Sequence, residues 1–190
     1  MKESRLIGTD NNASLRNVKC NDDGIIVNET HLAFNTEIGN AYMLSNVVTD
    51  LATTHAEDII FSTGTSAEIY ILSADFHVSG KAHTFLFEDI AYTIIGIPKT
   101  PVCLNRTFSG SSGIIALSGS TETSSISLTD TGDLIVEAFF PGSEKKDIAA
   151  LSNVGLEIIL KPHTNYLFRT LNADTGDISV SAAILFINKI

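Results

Sequence analysis

One tetrapeptide that occurs twice is the first candidate for chemistry. Asp-Thr-Gly-Asp stands at residues 130–133 and again at 174–177. Two Asp-Thr-Gly loops could share a proton between Asp130 and Asp174 and activate water, the arrangement of an aspartic peptidase. In both copies a further acid, Asp133 or Asp177, follows the glycine. That acid adds repulsion to a dyad that must already tolerate one like-charge contact. Each copy also lies between two strand-like runs, where Asp and Gly make turns through local hydrogen bonds and free φ. The residues favour turns, and the chain is expected not to be an enzyme.

Metal chemistry has a weaker footing. Asn172, Asp174 and Asp177 offer oxygens, but calcium takes about six to eight ligands and no EF-hand spacing occurs. Five histidines are available, at 31, 55, 77, 83 and 163. His77 and His83 flank Ser79–Lys81 and are expected to face each other across a hairpin, yet zinc would require further donors that the sequence does not supply nearby. Cys20 and Cys103 form no metal-binding pair and are expected to be reduced and partly buried. No metal, cofactor or catalytic residue is expected. There is no nucleophile elbow, Walker loop or dinucleotide fingerprint. The run Phe108–Gly113 lacks the lysine and following helix that would hold a phosphate. Phe34, Tyr42, Tyr92 and Phe108 could stack on sugar rings, although Trp is absent and most Phe occupy alternating positions expected to be core.

The elements that must position these residues are almost all strands. Residues 41–49, 58–61, 66–78 and 84–93 read as strands, followed by an irregular or edge segment marked by Pro98 and Pro101. Further strands are expected at 113–117, 124–128, 134–140, 156–160, 166–171 and 178–187. Along 66–78, Tyr70, Leu72, Ala74, Phe76 and Val78 share a face. The final run is the clearest: Ile178, Val180, Ala182, Ile184 and Phe186 alternate with Ser179 and Ser181. Residues 143–152 are the one helical candidate. Ten or so short strands separated by turn signals predict an all-β fold, an antiparallel β-sandwich of jelly-roll-like arrangement.

Residues 1–35 are more polar and read as an N-terminal arm preceding a sandwich domain at 36–190. Their clearest signal is Val18–Val27, where Asp23-Gly24 separates two strand-like runs as a hairpin turn does. Asp22, Asp23, Gly24, Ile25, Ile26 and Val27 are the expected interaction residues. An arm this small cannot bury enough surface to fold alone. It is expected to dock on a neighbouring subunit by adding strands to a sheet edge.

Composition narrows the class. Of 190 residues, 18% are charged and 44% hydrophobic, while Ser and Thr number 19 each. Such a profile excludes a disordered tail and suits strands with hydroxyl-bearing outer faces. The formal charge of −10 makes nucleic acid a poor partner. No run is long and apolar enough for a membrane helix, and no secretory leader is visible at the N-terminus. The last strand is apolar on both faces (Leu185 and Ile187 opposite Ile184 and Phe186), so it looks covered on both sides, which suits a homo-oligomer.

Gly155 to Asn172, with its Leu160-Lys161-Pro162-His163-Thr164-Asn165-Tyr166-Leu167-Phe168-Arg169 core, resembles the end of small virion proteins of tailed bacteriophages. There a strand reaches an L-K-P-x-T-x-Y-L-x-R turn before the final strand. Val18–Val27 is similar to a hairpin of the same proteins. The step from Asn105 to Phe108, the Gly/Ser loop after it and the strand from Leu134 to Pro141 also fit, whereas Cys20 and Ser120–Ser125 depart from the pattern. The resemblance implies a non-enzymatic virion component assembled in the bacterial cytoplasm, such as a capsid decoration or accessory protein. Its partners would be capsid or tail subunits and copies of itself, a homotrimer in first place, since sandwich proteins of this kind commonly sit at three-fold positions on phage shells. The alternative is a tail- or fibre-associated module that binds a host glycan.

Overall fold

The period of two at the C-terminal end governs the whole molecule. In the computed structural model, Ile178, Val180, Ala182, Ile184 and Phe186 are all buried, because a strand turns successive side chains to opposite faces. The structure describes residues 6–9, 15–20, 26–28, 31–64, 68–93, 96–108, 110–120, 126–142 and 158–189. In chain order they form β1 (Leu6–Thr9), β2 (Leu15–Cys20), β3 (Ile26–Asn28), α1 (His31–Glu37), β4 (Ala41–Leu51), β5 (Ala56–Thr63), β6 (Glu68–Val78), β7 (Ala82–Glu88) and β8 (Ala91–Tyr92). Then follow β9 (Ile97–Lys99), β10 (Val102–Cys103), β11 (Ile114–Ser120), β12 (Leu128–Asp130), β13 (Asp133–Phe140), β14 (Ile158–Leu160), β15 (Asn165–Asn172) and β16 (Ile178–Lys189).

Two sheets enclose the core. The first runs β10-β4-β16-β6-β14 and the second β13-β7-β15-β5-β11-β9. Each step from β4 to β7 crosses to the opposite sheet, as does each step from β13 to β16. The central strands therefore read β4-β16-β6-β14 facing β13-β7-β15-β5, the order of an eight-stranded jelly roll. The expected all-β sandwich is the observed one. The chain between β7 and β13 extends the second sheet with β11 and β9 and pairs β8 with β12 as a separate ribbon.

Apolar burial joins the sheets. Phe76 of the first meets Phe168 of the second at 5.5 Å, and Phe168 meets Phe61 edge-on at 5.7 Å. Tyr42 stacks on Phe186 at 5.7 Å. A smaller cluster lies on the outer face of the second sheet, where Ile60, Leu117 and Leu167 pack with Ile90 and Ile126, and Phe87, Tyr92 and Leu128 rest against them.

Several expectations require correction. Ser79–Lys81 is not a hairpin turn: β6 belongs to the first sheet and β7 to the second, so the turn is an arch between layers. The face assigned to β6 breaks at a bulge, where Leu185 pairs with Ser73 but Phe186 with Ile71. An extra residue reverses the alternation, so Ile69 and Ile71 are buried while Tyr70 and Leu72 are only half-buried. Phe85 and Phe87 share one face, as alternation requires, and it is the outer one, because Ala82, Thr84 and Leu86 take the inner positions of β7. The helical candidate 143–152 lies outside the described residues.

In the arm, β1, β2 and β3 form a three-stranded sheet. Val18, Lys19 and Cys20 pair with Asn28, Val27 and Ile26, the antiparallel pairing that the Asp23-Gly24 turn predicts. Ile26 and Val27 lie in β3, whereas Asp22, Asp23, Gly24 and Ile25 fall outside the described residues. The helix α1, which the sequence reading missed, spans the expected boundary at 35/36. Its end is tied to the sandwich by Asn105, whose Nδ2 donates to the Glu37 carbonyl at 2.8 Å. Gly39 terminates it at φ +80°, and a side chain there would collide with the Phe108 ring.

The crossing from β14 to β15 depends on Tyr166, which is fully buried. Its hydroxyl accepts from the Lys161 backbone N–H at 2.8 Å and donates to Glu88 Oε2 at 2.9 Å. Lys161 Nζ reaches Glu88 Oε1 at 2.6 Å. This is a tyrosine corner, the device by which Greek-key sandwiches fix a strand-to-strand arch. Burial is the largest influence in pushing the phenol up, to about 12. Much of the L-K-P-x-T-x-Y motif is thus explained by this arch. Tyr166→Phe leaves the Lys161 N–H and a Glu88 oxygen without that partner. It should cost about 1–3 kcal/mol, measured by urea unfolding, with an unchanged far-ultraviolet circular dichroism spectrum.

Candidate functional site

The two Asp-Thr-Gly-Asp loops are held apart. Asp130 precedes β13 beside Glu88, at one end of β7, whereas Asp174 bonds to Lys81 at the other. A seven-residue strand separates them, roughly 20 Å at about 3.3 Å per residue. Within each copy the carboxylate serves its own turn. Asp130 Oδ1 accepts from the Gly132 N–H at 3.0 Å. Asp174 Oδ1 accepts from the Thr175 N–H at 2.7 Å and Oδ2 from the Lys81 N–H at 2.9 Å. These bonds, Lys81's first, hold Asp174 below its ordinary value. Asn172 completes the second loop: its Oδ1 accepts from the Asp174 N–H, and its Nδ2 donates to the carbonyls of Leu51 and Gly176.

The histidine pair is also separated. His77 lies on the outer face of the first sheet and His83 on that of the second, a consequence of the arch between them. Among the described residues, no cluster of three or more His, Cys, Asp and Glu is placed to hold a metal ion. Cys103 is half-buried, with its Sγ 3.5 Å from the Gly39 carbonyl. Three of the four aromatics considered for a sugar platform occupy different surroundings. Tyr42 is in the core, Tyr92 covers the small outer cluster, and Phe108 lies over Gly39.

A different set of side chains does converge, on the outer face of the second sheet. Cross-strand register places Glu137, Phe85, Arg169 and Asp58 in one row over β13, β7, β15 and β5. Phe139, His83 and Leu171 form the next row. Arg169 grips Asp58 through Nε and Nη2, both at 2.7 Å. Burial pushes Asp58 up and the guanidinium pulls it back, while Arg169 is held above its ordinary value by the same bond. The His83 ring lies 4.7 Å from Phe139 and 5.9 Å from Phe85, nearly parallel to the latter. Its Nδ1 is 3.3 Å from Glu137 Oε1. The pattern His83-x-Phe85-x-Phe87 was the available sequence signal. Alternation puts Phe85 and Phe87 on one face but does not say which.

One further ionisable group is buried between the sheets. Glu57 of β5 accepts a 2.5 Å bond from Asn46 Nδ2 of β4 through Oε1, while Oε2 has no partner among the described residues. Burial pushes its carboxyl up from 4.5 to about 7; Asp58 adds to the rise, and Asn46 and Lys99 oppose it.

The class these features define is an all-β jelly-roll sandwich whose paired acidic loops are structural turns and whose second sheet presents an aromatic and polar outer face. A scan against protein-family models finds no match to the chain, and a search of curated proteins finds none either.

Two outcomes are expected. Asp130→Ala and Asp174→Ala should each lower Tm by no more than a few degrees, with the larger drop at Asp174, which caps two N–H groups rather than one. Differential scanning calorimetry reads both. For Glu57, the folded chain keeps a proton that the unfolded chain releases between pH 4.5 and about 7. Its contribution to stability is therefore full below that window and lost as pH rises through it, by on the order of 3 kcal/mol. Glu57→Gln should flatten this part of the stability–pH curve, measured by denaturant titrations at pH 5, 6, 7 and 8.

Proposed function

We propose that the chain is a non-enzymatic structural component of a tailed-bacteriophage virion, an accessory or decoration protein of the capsid surface. The observation that carries this reading is the outer face of the first sheet. Register aligns Val102, Met43, Leu185 and Ser73 in one row, with Ser45, Ala183 and Asp75 in a second and Val47, Ser181 and His77 in a third. Val47 is 67% exposed and Val102 46%. Asp75 is the one carboxylate in these rows. Open sheets of free-standing proteins normally carry polar outer residues, and an apolar patch rimmed by polar residues marks an interaction surface. Another copy of a chain with net charge −10 can approach this face with little like-charge repulsion, which fits a homo-oligomer; the trimer is what the resemblance adds. Contacts to capsid or tail subunits are assigned to the N-terminal arm through Asp22–Val27.

A second role on the same particle, recognition of a host glycan, is favoured by the aromatic row on the other sheet. Jelly rolls serve viral capsids and lectins alike, so the fold accommodates both roles without choosing between them.

Quantitative mass spectrometry of purified particles should find the chain in capsid-like copy number, and a handful of copies would sink the decoration reading. Val47→Lys, placed on an exposed position, should leave Tm within a few degrees while shifting the sedimentation coefficient toward monomer. An unchanged oligomer would remove the first sheet from the interface. Deletion of residues 1–35 should abolish attachment to particles lacking the protein.

A further inference from the structure

We propose that the outer face of the second sheet beside β13 is a binding site for neutral pyranose oligosaccharides, with Phe139, His83 and Phe85 as ring contacts and Arg169 and Glu137 as polar contacts. The inference deepens the glycan-recognition role by naming its residues and its ligand class.

The rings come first. Phe139 is 55% exposed, and His83 and Phe85 beside it are half-buried, so ring surface remains open while each ring is braced by the next. Phe85 continues to Phe87 at 5.7 Å, and Phe87 rests against the cluster capped by Tyr92 and Leu128. The open part of the face therefore ends at a wall made by the β8–β12 ribbon. The negative faces of aromatic rings attract positively polarised C–H groups, which a pyranose presents on its axial faces.

Next come the polar groups, which flank Phe85 within its own row. A guanidinium has five N–H donors. Asp58 takes two of Arg169's, leaving three, and the bidentate grip fixes the plane from which they point. Glu137 supplies the acceptor. Its side chain is 49% exposed, and its contact with His83 Nδ1 leaves lone pairs unused. A donor held rigid on one side of a ring and a carboxylate on the other match hydroxyls, which both give and accept hydrogen bonds. Groups already in place lose little conformational entropy on binding.

Other occupants fit less well. An apolar partner would bury Glu137 and the remaining Arg169 donors without returning hydrogen bonds, which is costly. A second copy laid on the same face would add a second Glu137 from a chain of charge −10. Nucleic acid meets the same charge barrier.

The test uses the full-length chain on an array of neutral and charged glycans, followed by calorimetric titration of the neutral oligosaccharides retained, with maltohexaose and chitohexaose titrated in every case. Binding to at least one neutral pyranose chain is expected. Phe139→Ala should weaken it about tenfold or more, and Glu137→Gln should weaken it for the same ligand. Arg106→Ala, at an exposed loop position that neither surface uses, should bind as the parent does. Should Phe139→Ala fail to fold, Phe85→Leu, which keeps an apolar side chain but removes the ring, carries the same expectation. A blank for all neutral glycans overturns the site. So does retention only of charged glycans, or binding that Phe139→Ala and Glu137→Gln leave unchanged. Copy number in particles is measured independently, so the virion role and the sugar site stand or fall separately.

Discussion

The contact on which the molecule depends is the one between the sheets, where Phe76 of the first meets Phe168 of the second, itself braced within its own sheet by Phe61. Neither sheet can bury its apolar face until the other is in place, and the strand order makes them inseparable. Six of the seven connections among the eight central strands cross between layers, those from β4 to β7 and from β13 to β16. A chain of this topology gains its core from residues distant in sequence, such as Tyr42 stacked on Phe186. Local strand preference contributes much less than this joint burial.

That constraint explains where the polar groups had to go. Each arch brings to the ends of the core backbone groups that no strand ladder pairs, and side chains supply their partners. Tyr166 serves the Lys161 N–H, Asn172 serves Leu51 and Gly176, and Asp174 serves Lys81 and Thr175. Asp174 and Asn172 invite a catalytic or calcium reading in one dimension because Asp and Asn also serve such sites. In three dimensions they are fasteners. Glu57 and Asn46 form another link between the sheets, at the cost of a carboxyl whose charge is suppressed by burial.

The same architecture frees the two outer faces to differ. The first sheet carries small and apolar side chains with few charges, whereas the second carries rings between a fixed guanidinium and a carboxylate. The insertion between β7 and β13 covers one row of the second face through Ile90 and Ile126 and leaves the rows of Phe85 and Phe139 open. The proposed assembly surface and the proposed ligand surface therefore share no residues.

The amino-acid sequence alone determined the strand-rich class, the alternation of β16, the edge character of the segment around Pro98 and the turn nature of both Asp-Thr-Gly-Asp loops. Each of these depends on residues close in the chain: side-chain alternation, a missing backbone donor, a carboxylate within reach of its own backbone. It also marked the pairing of β2 with β3 through Asp23-Gly24. Tertiary structure alone decided that Ser79–Lys81 is an arch, because hairpins and arches use the same turn residues and differ only in which sheet receives the next strand. The bulge in β6 had no local signal either, since it is set by the register with β16. The candidate site was illegible for the same reason. Phe139, His83, Phe85, Arg169 and Glu137 come from three strands separated by up to 86 residues, and only the hydrogen-bond register of β13, β7 and β15 brings them side by side.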